Sequence, residues 1–268
     1  MVQIKTFEEL YPELNWERSY DTIDALNSVE NKCAQYFIGK YKGYIKIWEY
    51  AYYYISLVIQ KSNVHKSYGI PASMYTEAYS SLRCSFECNI KGYHAEALSL
   101  LRRVHESIIK MIAIKVFPKN AFNIVRDTSI QGLESKLKIK MKWINMVESS
   151  FLHSNVIKAI KVGKSIVDED TFPISYGPQL DDLQFQGGAN LSIFWMYIVA
   201  LVVPRIFPDQ LSELTLAKNA ETCRLLKDFL QKLPKDELYK VALQFSSMLE
   251  TIGPISNKNE SKLLKERG

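Results

Sequence analysis

Glycine and proline are scarce in this 268-residue chain, at 11 and 9, which argues against a turn-rich β sandwich or barrel. Four cysteines, Cys33, Cys84, Cys88 and Cys223, are too few for a disulfide scaffold and read as reduced, core-facing cytoplasmic thiols. The opening Met1-Val2-Gln3-Ile4-Lys5-Thr6 has no apolar core and no small-residue cleavage site, so it does not read as a secretory signal. A glycine-rich phosphate loop is missing too: Gly187-Gly188 follows no strand and lacks the spacing. No internal repeat or low-complexity tract is present.

Apolar residues make up 47% of the chain and charged residues 24%, which excludes a disordered or fibrous protein. The net charge of +5 permits a nucleic-acid or phosphate partner without requiring one. Nearly every long segment carries helical period. Thr6-Phe7-Glu8-Glu9 fits a capping box opening a short helix that Pro12 stops. Asp21 to Lys61 is rich in aromatics, and twelve of the sixteen tyrosines fall in the first 79 residues. Such a cluster suits helices packed with rings buried and hydroxyls wet, or, less readily without interleaved arginines, base stacking. A helical hairpin is expected next. Its first arm runs from Pro71 to Asn89, Gly92 turns it, and its second runs from Tyr93 to Phe117, with Ala97, Leu101, Val104, Ile108 and Met111 forming a core seam.

Residues 133–151 support two readings. Lys136 to Trp143 alternates as a strand does, while Leu133, Leu137, Met141, Ile144, Val147 and Phe151 form a helical stripe. Length favours a lysine-rich helix. The glycines and prolines of 168–188 predict a long loop. The apolar, charge-free stretch Ala189–Val203 read as the candidate span is fifteen residues, short of the roughly 20 that span a bilayer, and Pro204 should end it. It predicts a buried core helix, with membrane association through 189–207 as a minority reading. Two amphipathic helices, 209–232 and 234–251, then precede a polar tail at 256–268. The expected architecture is a single all-α domain over 1–255: aromatic helices in 1–62, hairpin 71–117, lysine helix 133–151, loop 168–188 and C-terminal helices 189–252. This is a multi-helix bundle built around the hairpin and a buried apolar helix.

The chemistry-bearing residues concentrate on the hairpin. Arg83 and Glu87, and Arg102 and Glu106, are four apart and share helix faces, and Glu96 aligns with Arg103. They could form an ion-pair lattice that fixes register, or a polar pocket where arginines meet a phosphate. The run Gly92-Tyr93-x-x-Glu96-Ala97, then Leu100-Leu101-Arg102, then Glu106, on a helical second arm, resembles the HEPN-like helical proteins of prokaryotic abortive-infection and toxin–antitoxin systems. The resemblance covers about residues 70–117. It implies a helical scaffold, a phage-defence context and, in active members, metal-independent ribonuclease chemistry by an arginine followed four to six residues later by a histidine. Here Arg102 precedes His105 by three residues. A divergent ribonuclease would therefore use Arg102, Arg103 and His105, with Glu106 orienting the base.

Other constellations carry less. Cys84 and Cys88 with His94 lack a fourth metal ligand. Asp127 with Glu134-Ser135-Lys136 mimics a metal nuclease that would need a strand hairpin. Asp168-Glu169-Asp170 and Asp181-Asp182 read as solvated loop acids. Neither metal nor cofactor is expected. Lys136, Lys138, Lys140, Lys142, Lys158, Lys161 and Lys164 face only Glu134 and Glu148 among nearby acids. Two functions are therefore expected: a helical interaction protein binding RNA or other nucleic acid, or a partner protein or second copy, through this basic face; or the divergent ribonuclease.

Overall fold

The computed structural model describes residues 16–61, 69–126, 128–141, 144–145, 178–208, 211–233 and 237–252. Every regular element among them is helical. In chain order they are α1 (Trp16–Lys40), α2 (Lys42–Lys61), α3 (Gly69–Ile90), α4 (His94–Val116), α5 (Ala121–Arg126), α6 (Ile130–Lys136), α7 (Asp182–Ile206), α8 (Glu213–Gln231) and α9 (Glu237–Ile252). A single 3-10 turn, Pro118–Asn120, leads into α5. The all-α bundle is as expected. The capping box at Thr6, the histidines at 65 and 153, Asp127, residues 168–170 and the polar tail lie outside the described residues.

Apolar residues on all sides make α7 the centre. It packs on α2, α3, α4, α8 and α9. Leu191 to Ala200 is buried without interruption, and each fully buried large side chain contributes about 1.5–3 kcal/mol. Among the described residues α7 is the helix long and apolar enough to cross a membrane, yet 78% of that window is buried inside the protein. Pro204 does not end it, contrary to expectation. The ring costs the bond to the Ala200 carbonyl, but only two residues remain to Ile206, and Arg205 Nη1 donates to the Leu201 carbonyl at 2.8 Å.

The α3–α4 hairpin forms at Gly69–Ile90 and His94–Val116, close to the expected bounds, and its seam residues Ala97, Leu101, Val104, Ile108 and Met111 are all buried. A column of four stacked rings joins α2 to α3. Trp48 stacks on Phe86 at 3.9 Å, Tyr52 on Trp48 at 4.6 Å and Tyr79 on Tyr52 at 4.7 Å. These rings spend their faces on one another, which removes them from base stacking. Their neighbour Tyr54 is 3% exposed, so its hydroxyl is not wet as expected.

Two boundaries differ from the sequence reading. The loop expected over 168–188 stops early, because residues 182–188 are the first turns of α7. Asp181 caps that helix, accepting from the Leu183 and Gln184 amides at 2.9 Å each. The glycines that signalled a loop serve packing instead: a Cβ on Gly188 would lie 2.8 Å from Asn89 Oδ1. Asp182 stays at the surface, as a solvated acid should, but it is not free. It pairs with Lys40 and accepts from the Tyr41 hydroxyl at 2.8 Å.

The single helix expected over 133–151 is also not formed. α6 ends at Lys136 in a Schellman arrangement, with Lys138 N–H donating to Ser135 O (3.1 Å) and Ile139 N–H to Glu134 O (2.9 Å). Lys138 takes the left-handed conformation, φ 57°, that this closure demands. Past it the chain alternates, burying Leu137, Ile139 and Met141 and exposing Lys138 and Lys140. The two-residue period wins because a one-sided core lies beneath it. No strand is needed: Gln244 Oε1 of α9 accepts the Lys140 amide at 3.2 Å.

Candidate functional site

α4 carries the catalytic residues expected from the sequence, and their surroundings come from elsewhere in the chain. The His105 ring is wholly buried and stacks beneath Trp195 of α7, centroids 4.8 Å apart. Its Nε2 lies 2.8 Å from Glu134 Oε1 of α6. On the other edge, Arg102 Nη1 lies 3.3 Å from Nδ1. A guanidinium can only donate, so Nδ1 accepts and Nε2 carries the proton; the Glu134 carboxylate lies within ion-pair distance of Nε2 but out of hydrogen-bond alignment with it. Asn145 closes the circuit: its Nδ2 donates to both Glu134 oxygens, at 3.0 and 2.7 Å, and its Oδ1 accepts from Arg102.

Arg102 also reaches Glu106 through Nε, 3.1 Å to Oε1, so the expected i,i+4 pair forms. Arg83 and Glu87 form theirs at 2.7 Å, on the exposed side of α3. The structure thus gathers Arg102, His105 and Glu106 into one network and leaves Arg103 on the exposed face of α4. Asn145, which completes it, is not singled out by the sequence, and Glu134 reads there only as a metal-nuclease mimic and as an acid beside the lysines. They sit about 30 to 40 positions away with no motif linking them to α4. A guanidinium, an imidazole and a carboxylate in series can hold and orient a proton. They do so here in the interior.

The same network changes the balance of charge outside. Glu134 is 5% exposed and turned inward, so it does not neutralise the lysines beside it. Lys136, Lys138 and Lys140 are all exposed, and none forms an ion pair among the described residues. They line one edge of the strap from the end of α6 to Met141. Lys158, Lys161 and Lys164 fall outside the described residues, as does Lys142.

A second polar cluster sits at the hairpin turn. Gly92, φ 90°, gives its carbonyl to the Gln179 amide at 3.0 Å, and a Cβ there would lie 2.6 Å from that nitrogen. His94 follows, buried, with Nδ1 2.7 Å from Asn89 Oδ1 and Nε2 3.1 Å from the Gln179 carbonyl. Asn89 Nδ2 donates to the Phe185 carbonyl at 2.9 Å, which fixes its oxygen toward His94. Burial pushes the His94 pKa below the usual histidine value, the bond to Gln179 opposing it. Phe37 of α1 stacks on Phe185 at 4.3 Å, so the turn fastens α1 and the start of α7 together. Both nitrogens face carbonyl oxygens, one of them across the single N–H of the neutral ring, and His94 does not complete a metal site with Cys84 and Cys88. Cys84 is exposed rather than core-facing, because its position on α3 turns away from α4 and α7.

Fold and site together define an all-α bundle with an interior ionic network and a lysine-edged strap. Compared with protein-family models, with curated proteins and with solved structures, the chain matches none.

Proposed function

We propose that this chain is a non-enzymatic RNA-binding protein that holds the phosphate backbone against Lys136, Lys138 and Lys140. The observation that carries the reading is the split within one short segment. Leu137, Ile139 and Met141 anchor it, the three lysines project to solvent, and the nearest acid is withdrawn to His105. Exposed cations with no ion-pair partner among the described residues suit a polyanion, because binding releases the counterions condensed on it. The resemblance of the hairpin to HEPN-like proteins supports RNA as that polyanion and a defence context for it. Cleavage is the second reading, favoured by the Arg102–His105–Glu134 series. Binding is preferred because His105 has no exposed surface from which to reach a 2′-hydroxyl.

The test is fluorescence anisotropy with a single-stranded RNA over a salt series. The expected slope of log affinity against log salt is about −0.7 per phosphate neutralised. Replacing Lys136, Lys138 and Lys140 together with glutamine should flatten it by about two units. The RNA should stay intact throughout. Absence of binding at low salt, or an unchanged slope in the triple variant, overturns the reading; an acidic protein captured in place of RNA would move the lysines to a protein interface. RNA fragmentation would favour the ribonuclease.

A further inference from the structure

The groove between α2 and α8 belongs to neither the ionic network nor the lysine strap. One half is a cavity of about 280 Å³ with Tyr53 and Leu57 of α2 facing Leu214 of α8. Tyr53 and Leu214 are each 65% exposed, standing as open walls over a floor of Tyr54, Thr215 and Thr222, which are buried. Tyr54 keeps its proton, since burial raises its pKa, and its hydroxyl has no hydrogen-bond partner among the described residues. Beyond Tyr50 the groove continues as a second cavity of about 440 Å³, lined by Lys46, Glu221, Arg224 and Asp228.

Counting Lys218 of the first half, the groove holds three cations against two carboxylates. Glu221 pairs with Lys218 at 3.2 Å, and its carboxylate is held below its usual range by the nearby Tyr50 hydroxyl and by that lysine. Lys46 and Arg224 form no ion pair among the described residues and share the cavity with Asp228 and with Glu221, which Lys218 already pairs. Tyr54 and Lys46 are eight residues apart on α2, about 12 Å along the helix axis. An apolar slot with one tyrosine and one leucine wall thus opens onto two cations at roughly the length of a mononucleotide.

The geometry points to a binding site for a flat aromatic anion in this groove, its ring between Tyr53 and Leu214 and its phosphate or carboxylate at Lys46 and Arg224. The aromatic wall, Tyr53, favours a ring over an alkyl chain, since stacking adds to burial. The guanidinium of Arg224 gives the anion a two-pronged partner.

Isothermal titration calorimetry of the full chain with guanosine 5′-monophosphate, indole-3-acetate and decanoate tests it. At least one of the two aromatic anions should bind, and more tightly than decanoate. Tyr53→Ala and Arg224→Gln should each weaken binding about tenfold. Both side chains are exposed, so neither change threatens the fold. The triple lysine variant of the strap should bind as wild type does, which separates this site from the RNA-binding reading. Preference for the nucleotide assigns a phosphate source, and preference for indole-3-acetate a carboxylic acid. Decanoate binding as tightly as either, no saturable heat at millimolar ligand, or wild-type affinity in both variants overturns the site.

Discussion

His105 and Glu134 lie 2.8 Å apart, on different helices, with the imidazole stacked under Trp195 and the carboxylate clasped by Asn145. The pair joins α4 to α6 through the interior. Removing one partner strands the other in a medium that solvates it poorly. His105→Ala should therefore cost about 3–5 kcal/mol, and Glu134→Gln, which keeps the shape, about 1–3 kcal/mol. Urea unfolding with an unchanged slope checks both. A loss under 1 kcal/mol in His105→Ala would mean the pair is worth no more than an exposed one.

Gly187 and Gly188 are adjacent on α7 and should respond in opposite directions to alanine. A Cβ on Gly187 meets nothing within 4 Å, so Gly187→Ala should stabilise by about 0.5–1 kcal/mol through helix propensity. At Gly188 it lands 2.8 Å from Asn89 Oδ1, whose amide ties Phe185 to His94. Gly188→Ala should destabilise by about 1–3 kcal/mol. Thermal melts of the two variants decide it.

Acid should loosen the hairpin turn before it titrates the carboxylates. The folded pKa of His94 is lowered by burial, so on acidification the unfolded chain takes up the proton first. The contribution is fully present above the ordinary histidine value near 6.5, and is lost as pH falls from there through the folded value. Melting temperature followed between pH 7.5 and 5 should drop in the wild type. His94→Gln should start lower and show a flatter profile. Equal slopes in the two would remove His94 as the cause.

Lys138 sits at φ 57° where a Schellman closure favours glycine. Lys138→Gly should stabilise by about 0.5–1 kcal/mol by relieving the Cβ clash. It should also reduce the salt slope of RNA binding by about 0.7, the loss of one phosphate contact. Chemical denaturation and anisotropy measured on one preparation separate the two effects. A destabilised Lys138→Gly would mean that the lysine stem packs on the strap.

Much of this fold was legible because one-dimensional period encodes burial. The α4 seam and the apolar run of α7 each state which residues must face inward, and the chain obeyed both. The strap was legible too, in the alternation of residues 136–143, but a helical stripe of similar strength overlapped it. The choice fell to what lay beneath: a core on one side and a left-handed Lys138 to end α6. At the site, the Arg102–Glu106 spacing was readable because a helix turn enforces it. Glu134, Asn145 and Trp195 were not, since nothing local connects them to His105.

By itself, then, the sequence determined an all-α bundle, its hairpin and its central apolar helix, because helical periodicity and scarce turn residues are properties of the chain. Tertiary structure decided which charges are withdrawn and which are offered. Glu134 reads as one more acid beside the lysines until α4 and α6 close on it; packing buries that carboxylate against His105 and leaves Lys136, Lys138 and Lys140 in water. The α2–α8 groove is likewise a product of assembly, because a cavity exists only between surfaces that the sequence writes more than 150 residues apart.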